Sequence, residues 1–218
     1  MPGKPELIVT ELLRRYGRRY ADEAGIKLAD RPSPLYQLLV LATLLSARIS
    51  ADIAVAAAQE LFKAGCRSPK AMAEASWQDR VDALGRGHYR RYDERTATML
   101  GDGAALLADR WHGDLRRLRD EAGGGVQHMT KLLTEFPGIG PTGASIFLRE
   151  AQDVWPSVAP YVDAAMLSGA RRVGLPTGRD DLSELLSGCG EPGRLAAALV
   201  RVSLSQRAAG EVTAAVGD

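Results

Sequence analysis

Apolar residues in this chain recur every three to four positions and almost nowhere every two. Leu35, Leu38, Leu39, Ala42 and Leu45 fall at that spacing, as do Ile53, Ala57 and Leu61, then Tyr92, Thr96, Met99, Gly103 and Leu106. Each set makes one face of an amphipathic helix, and no convincing alternating strand accompanies them. The same pattern predicts helices near 5–22, 77–84, 127–135, 141–151, 162–173, 181–187 and 193–208. Breakers fall between them: Pro32 and Pro34, Gly65 to Pro69, Gly85 to Gly87, Gly123 to Gly125, Pro137 to Pro141, Pro156 to Pro160, and Pro176 to Gly178. An all-α chain of roughly ten short helices joined by tight turns follows.

At 218 residues the chain can bury the core of one large domain or of two small ones packed together. Its 45% hydrophobic and 25% charged residues match an ordinary globular protein rather than a disordered or fibrous one. No run of about 18 apolar residues exists, and Met1 to Glu6 lacks the basic-then-apolar layout of a signal peptide, so a cytoplasmic protein without a membrane partner is expected. The 28 Lys and Arg against 27 Asp and Glu neither demonstrate nor exclude a polyanionic partner; clustering on one face would decide. Two cysteines, Cys66 and Cys189, cannot supply a four-thiolate site, and no metal is expected. They read as buried apolar thiols.

The most informative segment is Phe136-Pro137-Gly138-Ile139-Gly140-Pro141-Thr142-Gly143-Ala144, between one apolar-periodic helix and the next. Glycines at 138 and 140 permit backbone angles at which successive amide N–H groups point outward into an anion site. Pro141 suits a first helical position, and the helix that follows adds its positive end. The same residues also read as a plain C-cap glycine and turn.

Three elements in order carry a resemblance. The hairpin, then Tyr161-Val162-Asp163 opening a helix, and upstream Leu44-Leu45-Ser46-Ala47-Arg48-Ile49-Ser50 together resemble the helix-hairpin-helix superfamily of DNA glycosylases that includes endonuclease III and the alkylated-base enzymes; Gly85 to Tyr89 resembles its Gly-x-Tyr turn. The resemblance spans about residues 30 to 175. It implies a two-lobed helical fold with a cleft between the lobes: a helical barrel over 35–134, and a second lobe from 1–34 plus 135–218. It implies double-stranded DNA with a damaged base as partner, a monomer, and a hairpin of Gly138, Ile139, Gly140 and Thr142 gripping phosphates. A monovalent cation at the hairpin is compatible with it. Asp163 would be the catalytic carboxylate, stabilising the positive charge that develops on the sugar once the base is turned out of the stack; it also reads as a helix N-terminal Asp. Arg48 stands where the family commonly has a glutamine that fills the gap left by the flipped base, and also reads as a surface arginine capping a helix.

The departures are chemical. Where bifunctional relatives carry a Schiff-base lysine this chain has Thr142, whose hydroxyl cannot form an imine, and Lys131 lies a helix away. The iron-sulfur loop is missing, since only Cys189 follows residue 175. The expectation is a monofunctional glycosylase of base excision repair, a hydrolase with no lyase activity and no cofactor. A non-catalytic DNA-binding protein that kept the hairpin is the alternative, and a helical protein-interaction domain a more distant one. Thr43 replaces the glutamate that protonates adenine in relatives, and no Asp, Glu or His lies between Leu35 and Ala51, so an alkylated base that leaves without protonation is expected. Tyr36, His88, Tyr89, Tyr92, His128, Trp155 and Tyr161 are the rings available to stack on it.

Overall fold

The computed structural model describes residues 3–217, and among them the chain is all helix and turn, with no strand. In order run α1 (Lys4–Tyr16), α2 (Tyr20–Glu23), α3 (Pro32–Leu45), α4 (Ala51–Lys63), α5 (Pro69–Glu74), α6 (Trp77–Arg86) and α7 (Asp93–Trp111). They are followed by α8 (Leu115–Glu121), α9 (Val126–Leu133), α10 (Pro141–Ala151), α11 (Ala164–Val173), α12 (Arg179–Gly188), α13 (Pro192–Leu204) and α14 (Gln206–Val216). No helix of the described residues is long and apolar enough to cross a membrane.

Several expected helices divide for local reasons. The helix predicted near 5–22 divides at Gly17, the C-cap of α1, whose N–H still donates to Leu13 O at 3.1 Å and where only a glycine fits against the Leu13 backbone. The one predicted near 193–208 breaks at Ser205, whose extended backbone (φ −133°, ψ 113°) ends α13 and whose hydroxyl accepts from the Ala208 N–H at 3.2 Å to start α14. Helices α5 and α8 are too short to show a period. Their signals are caps: Ser68 accepts from Ala71 N–H ahead of Pro69, and Asp114 from Arg116 N–H.

Two compact units result. One comprises Ala21–Phe147; the other joins the residues up to Tyr20 with those from Leu148 on. These boundaries fall elsewhere than 34/35 and 134/135. Residues 21–34 are tied to α4 and its flank, where the Gln59 amide donates to the Glu23 carbonyl at 2.7 Å and the Ser33 hydroxyl to the Arg67 carbonyl at 2.9 Å. The hairpin segment is held by α7, since Phe136 stacks on Trp111 at 5.5 Å between ring centroids.

Each unit is built around a helix buried on nearly every side. In the Ala21–Phe147 unit it is α3, where Leu35, Tyr36 and every residue from Leu38 to Thr43 are buried, so the single apolar face read from the sequence understates it. In the other unit it is α13, buried from Leu195 to Val200, with α1, α11, α12 and α14 packed against it. Gly169 of α11 lies so close to the Leu199 carbonyl that a Cβ would overlap it, which lets the two helices meet backbone to backbone. In the α3 unit a buried cation, Arg80, ties three elements: its Nε donates to Ala97 O at 2.9 Å and its guanidinium to Met72 O at 2.9 Å and Ala75 O at 2.7 Å. Gly101 leaves the room that guanidinium occupies.

Candidate nucleic-acid interface

The hairpin is anchored by its apolar residues and leaves its turn exposed. Phe136 and Ile139 are buried, and Ile139 N–H donates to Phe136 O at 3.0 Å across the turn. Gly138 has φ +83°, while Gly140, Pro141 and Thr142 are exposed. The first bond of α10 runs from Ala144 N–H to Gly140 O at 3.0 Å. Among the described residues no backbone bond takes up the N–H of Gly138, Gly140, Thr142 or Gly143. Four donors beside a helix N-terminus are a group an anion can satisfy.

The glycines differ in what they do. A Cβ on Gly138 would sit 3.0 Å from the Met99 sulfur and 3.2 Å from Thr43 Cγ2, in a backbone conformation side chains resist; a Cβ on Gly140 meets nothing within 4 Å. Gly143, which sequence reasoning passed over, presses α10 onto the end of α3 at Ser46. Gly138→Ala is therefore expected to lower stability by about 1–3 kcal/mol and Gly140→Ala by less than about 0.5 kcal/mol. Thermal unfolding of the two single variants checks this. Equal losses would mean the left-handed turn is not what strains the first.

Gly138 also forms part of a pocket of about 290 Å³. The C-terminal turn of α3 contributes Thr43 and Ser46, the bend after it Arg48, and the start of α7 Arg95, Thr96 and Met99. Tyr89 and Tyr92 complete the wall. They are placed by the Gly-x-Tyr turn: Gly87 lies on the Ala57 backbone where no Cβ fits, His88 takes φ +63°, and Tyr89 turns inward. Burial pushes the Tyr89 phenol upward, against a hydrogen bond with Thr96. Arg48 and Arg95 are exposed, and among the described residues neither has a carboxylate within 4.0 Å. Arg48 caps no helix carbonyl; Ser46 closes α3 instead, its hydroxyl donating to Ala42 O at 2.6 Å.

Of the rings named as stacking candidates, only Tyr89 and Tyr92 line this pocket. Tyr36, Trp155 and Tyr161 are core, and His88 and His128 are exposed elsewhere. Thr43 does face the pocket, with its hydroxyl donating to Leu39 O at 2.9 Å, and no carboxyl or imidazole lines it. Lys131 is exposed on α9.

In the other unit Asp163 is the N-cap of α11, and both its oxygens are engaged. Oδ1 accepts from Met166 N–H at 2.9 Å, and Oδ2 lies 3.1 Å from Arg149 Nε. The side chains are 12% and 10% exposed, and the pair is electrostatic rather than an aligned hydrogen bond. Gln152 fixes the segment leading to it: its amide donates to Arg149 O at 2.8 Å and accepts from Tyr161 N–H at 3.0 Å, while Arg179 donates to Val162 O. Arg95, Arg149 and Gln152 escaped the sequence reading, because a lone arginine or glutamine on a helix carries no signal of what it faces.

No family model matches this chain, and no curated protein does. Among solved structures it is similar to one described as "Structure of a Trapped Endonuclease III-DNA Covalent Intermediate: Estranged-Adenine Complex", with 20% sequence identity, 92% of this chain and 85% of that chain covered, and a TM-score of 0.49.

Proposed function

We propose that this chain is a monofunctional DNA glycosylase of the helix-hairpin-helix kind, which hydrolyses the bond between sugar and base at a damaged nucleotide turned out of the duplex. One observation carries the reading. Gly138 is at once the left-handed turn of a hairpin with four amides that no backbone carbonyl takes up and part of the wall of a nucleobase-scale pocket bearing two arginines without carboxylate partners. A phosphate grip and a small-ligand pocket thus share one residue, which is what a protein needs to hold a strand while extracting one base from it.

In this reading the amides of Gly138, Gly140 and Thr142 take backbone phosphate, Ile139 anchors the turn, and Arg48 stacks into the gap left by the base. Asp163 supplies fixed negative charge as the sugar becomes an oxocarbenium ion, and water then adds to the anomeric carbon. Thr142 offers no amine, so the sugar stays uncleaved. Incubation with duplexes carrying uracil, oxidised pyrimidines, mismatched adenine or alkylated purines should release a free base from at least one. Borohydride should trap no covalent complex; a trapped band that disappears on mutating a lysine would place a nucleophile elsewhere.

A second reading, a DNA-binding protein without base excision, is favoured by the engagement of both Asp163 oxygens by Met166 N–H and Arg149. It predicts salt-sensitive duplex binding with no base released from any substrate.

A further inference from the structure

We infer that the arginine-walled pocket selects an uncharged, carbonyl-bearing base and rejects a cationic one, with Arg95 as the residue that sets this choice. The inference rests on the glycosylase reading and reverses the alkylated-base preference expected from the missing acid.

Three observations carry it. The pocket wall holds two guanidiniums, from Arg48 and Arg95, and no carboxylate. A base with a fixed positive charge would enter against Arg95, and against Arg48 as well until that side chain moves into the gap in the duplex, and a like charge at this range is unfavourable even where solvent screens part of it. The rings offer little compensation: Arg91 already lies over Tyr92 at 5.2 Å from its centroid, and Tyr89 is buried with its hydroxyl on Thr96, so a second cation would share Tyr92 with an arginine and meet only one other ring. Finally, the hydrogen-bonding character is lopsided. The hydroxyl protons of Thr43 and Ser46 are spent on Leu39 O and Ala42 O, so the strong free donors are the two guanidiniums. A planar fork of N–H groups matches carbonyl oxygens on a base edge.

The same wall answers how a neutral base leaves without a general acid. The glycosidic bond breaks with its electron pair going to the base, which departs as an anion with its charge spread onto carbonyl oxygens facing Arg95. Water adds to the oxocarbenium carbon and releases one proton, which neutralises the departed base. No oxidant, metal or second substrate is required. The guanidinium acts by a charge whose attraction is stronger for the leaving anion than for the bound base.

Equilibrium binding and single-turnover release are measured on three duplexes of one sequence, carrying a single uracil, a single N7-methylguanine, or no lesion. The wild-type protein should hold the uracil duplex about tenfold more tightly than the methylated one. Arg95→Glu should shift that ratio about tenfold or more toward N7-methylguanine, and Arg95→Gln should slow uracil release about tenfold while keeping affinity for the undamaged duplex within about threefold. Arg95 is exposed and without ion-pair partners, so both variants should fold, which their unfolding curves verify. A wild-type preference for the methylated duplex, or a ratio untouched by Arg95→Glu, overturns this inference alone. Failure to bind any of the three duplexes overturns the glycosylase reading and this inference with it.

Discussion

Asp163→Asn is expected to lower the single-turnover rate of base release by about 10²–10³-fold and to leave duplex affinity within about threefold. The substitution is close to isosteric, and Asn ranks beside Asp as an N-cap, so Met166 N–H keeps its acceptor and α11 keeps its start. What disappears is the negative charge. A carboxamide turns no field on a developing oxocarbenium ion, while the hairpin proposed to take phosphate belongs to the other unit and is untouched by the substitution. Single-turnover release of free base, with fluorescence anisotropy for affinity, measures both. An unchanged rate removes Asp163 from the mechanism and leaves its bond to Met166 and its pairing with Arg149 as its whole purpose.

How far the sequence led can be read residue by residue. Helix was legible almost everywhere, because a 3.6-residue period over ten or more residues is a strong signal, and the hairpin was legible as a turn between two helices because Pro and Gly cluster in Pro-Gly-Ile-Gly-Pro. Thr43, matched in sequence to a glutamate of relatives, lines a pocket. The short helices α5 and α8 were not legible, having fewer than two full periods. Nor was the division of the chain: a stacked Phe136 and Trp111 pull the hairpin into the unit of α7, and nothing in the spacing of those two aromatics announces that they meet. The charge of the pocket was missed for a related reason. Absence of an acid between Leu35 and Ala51 was visible in one helix, whereas Arg95 arrives from another helix, α7, and only the fold brings the two walls together.

Arg149→Met is expected to destabilise the protein by about 3 kcal/mol, read from denaturant unfolding at constant m-value. The estimate follows from what the change leaves behind. Asp163 is 12% exposed, and Arg149 is the cation that faces Oδ2 at 3.1 Å, so deleting the guanidinium strands a nearly buried carboxylate with a single N–H donor. Exposed ion pairs elsewhere in the chain, such as Lys63 with Glu60, are worth a fraction of that. Methionine keeps most of the volume of the arginine stem, so the loss reports charge more than cavity. The double variant with Asp163→Asn decides between a clamp and a bystander. Removing both charges leaves neither uncompensated, so the double variant should be more stable than Arg149→Met alone, with a coupling of about 1–3 kcal/mol. Base release by the single Arg149→Met variant, assayed well below its unfolding midpoint, should persist within about tenfold, because the carboxylate remains and Met166 N–H still orients it. Strictly additive losses would show that the two side chains are neighbours without being partners. A release rate that rises on removing Arg149 would instead show that the guanidinium holds the carboxylate's charge in check.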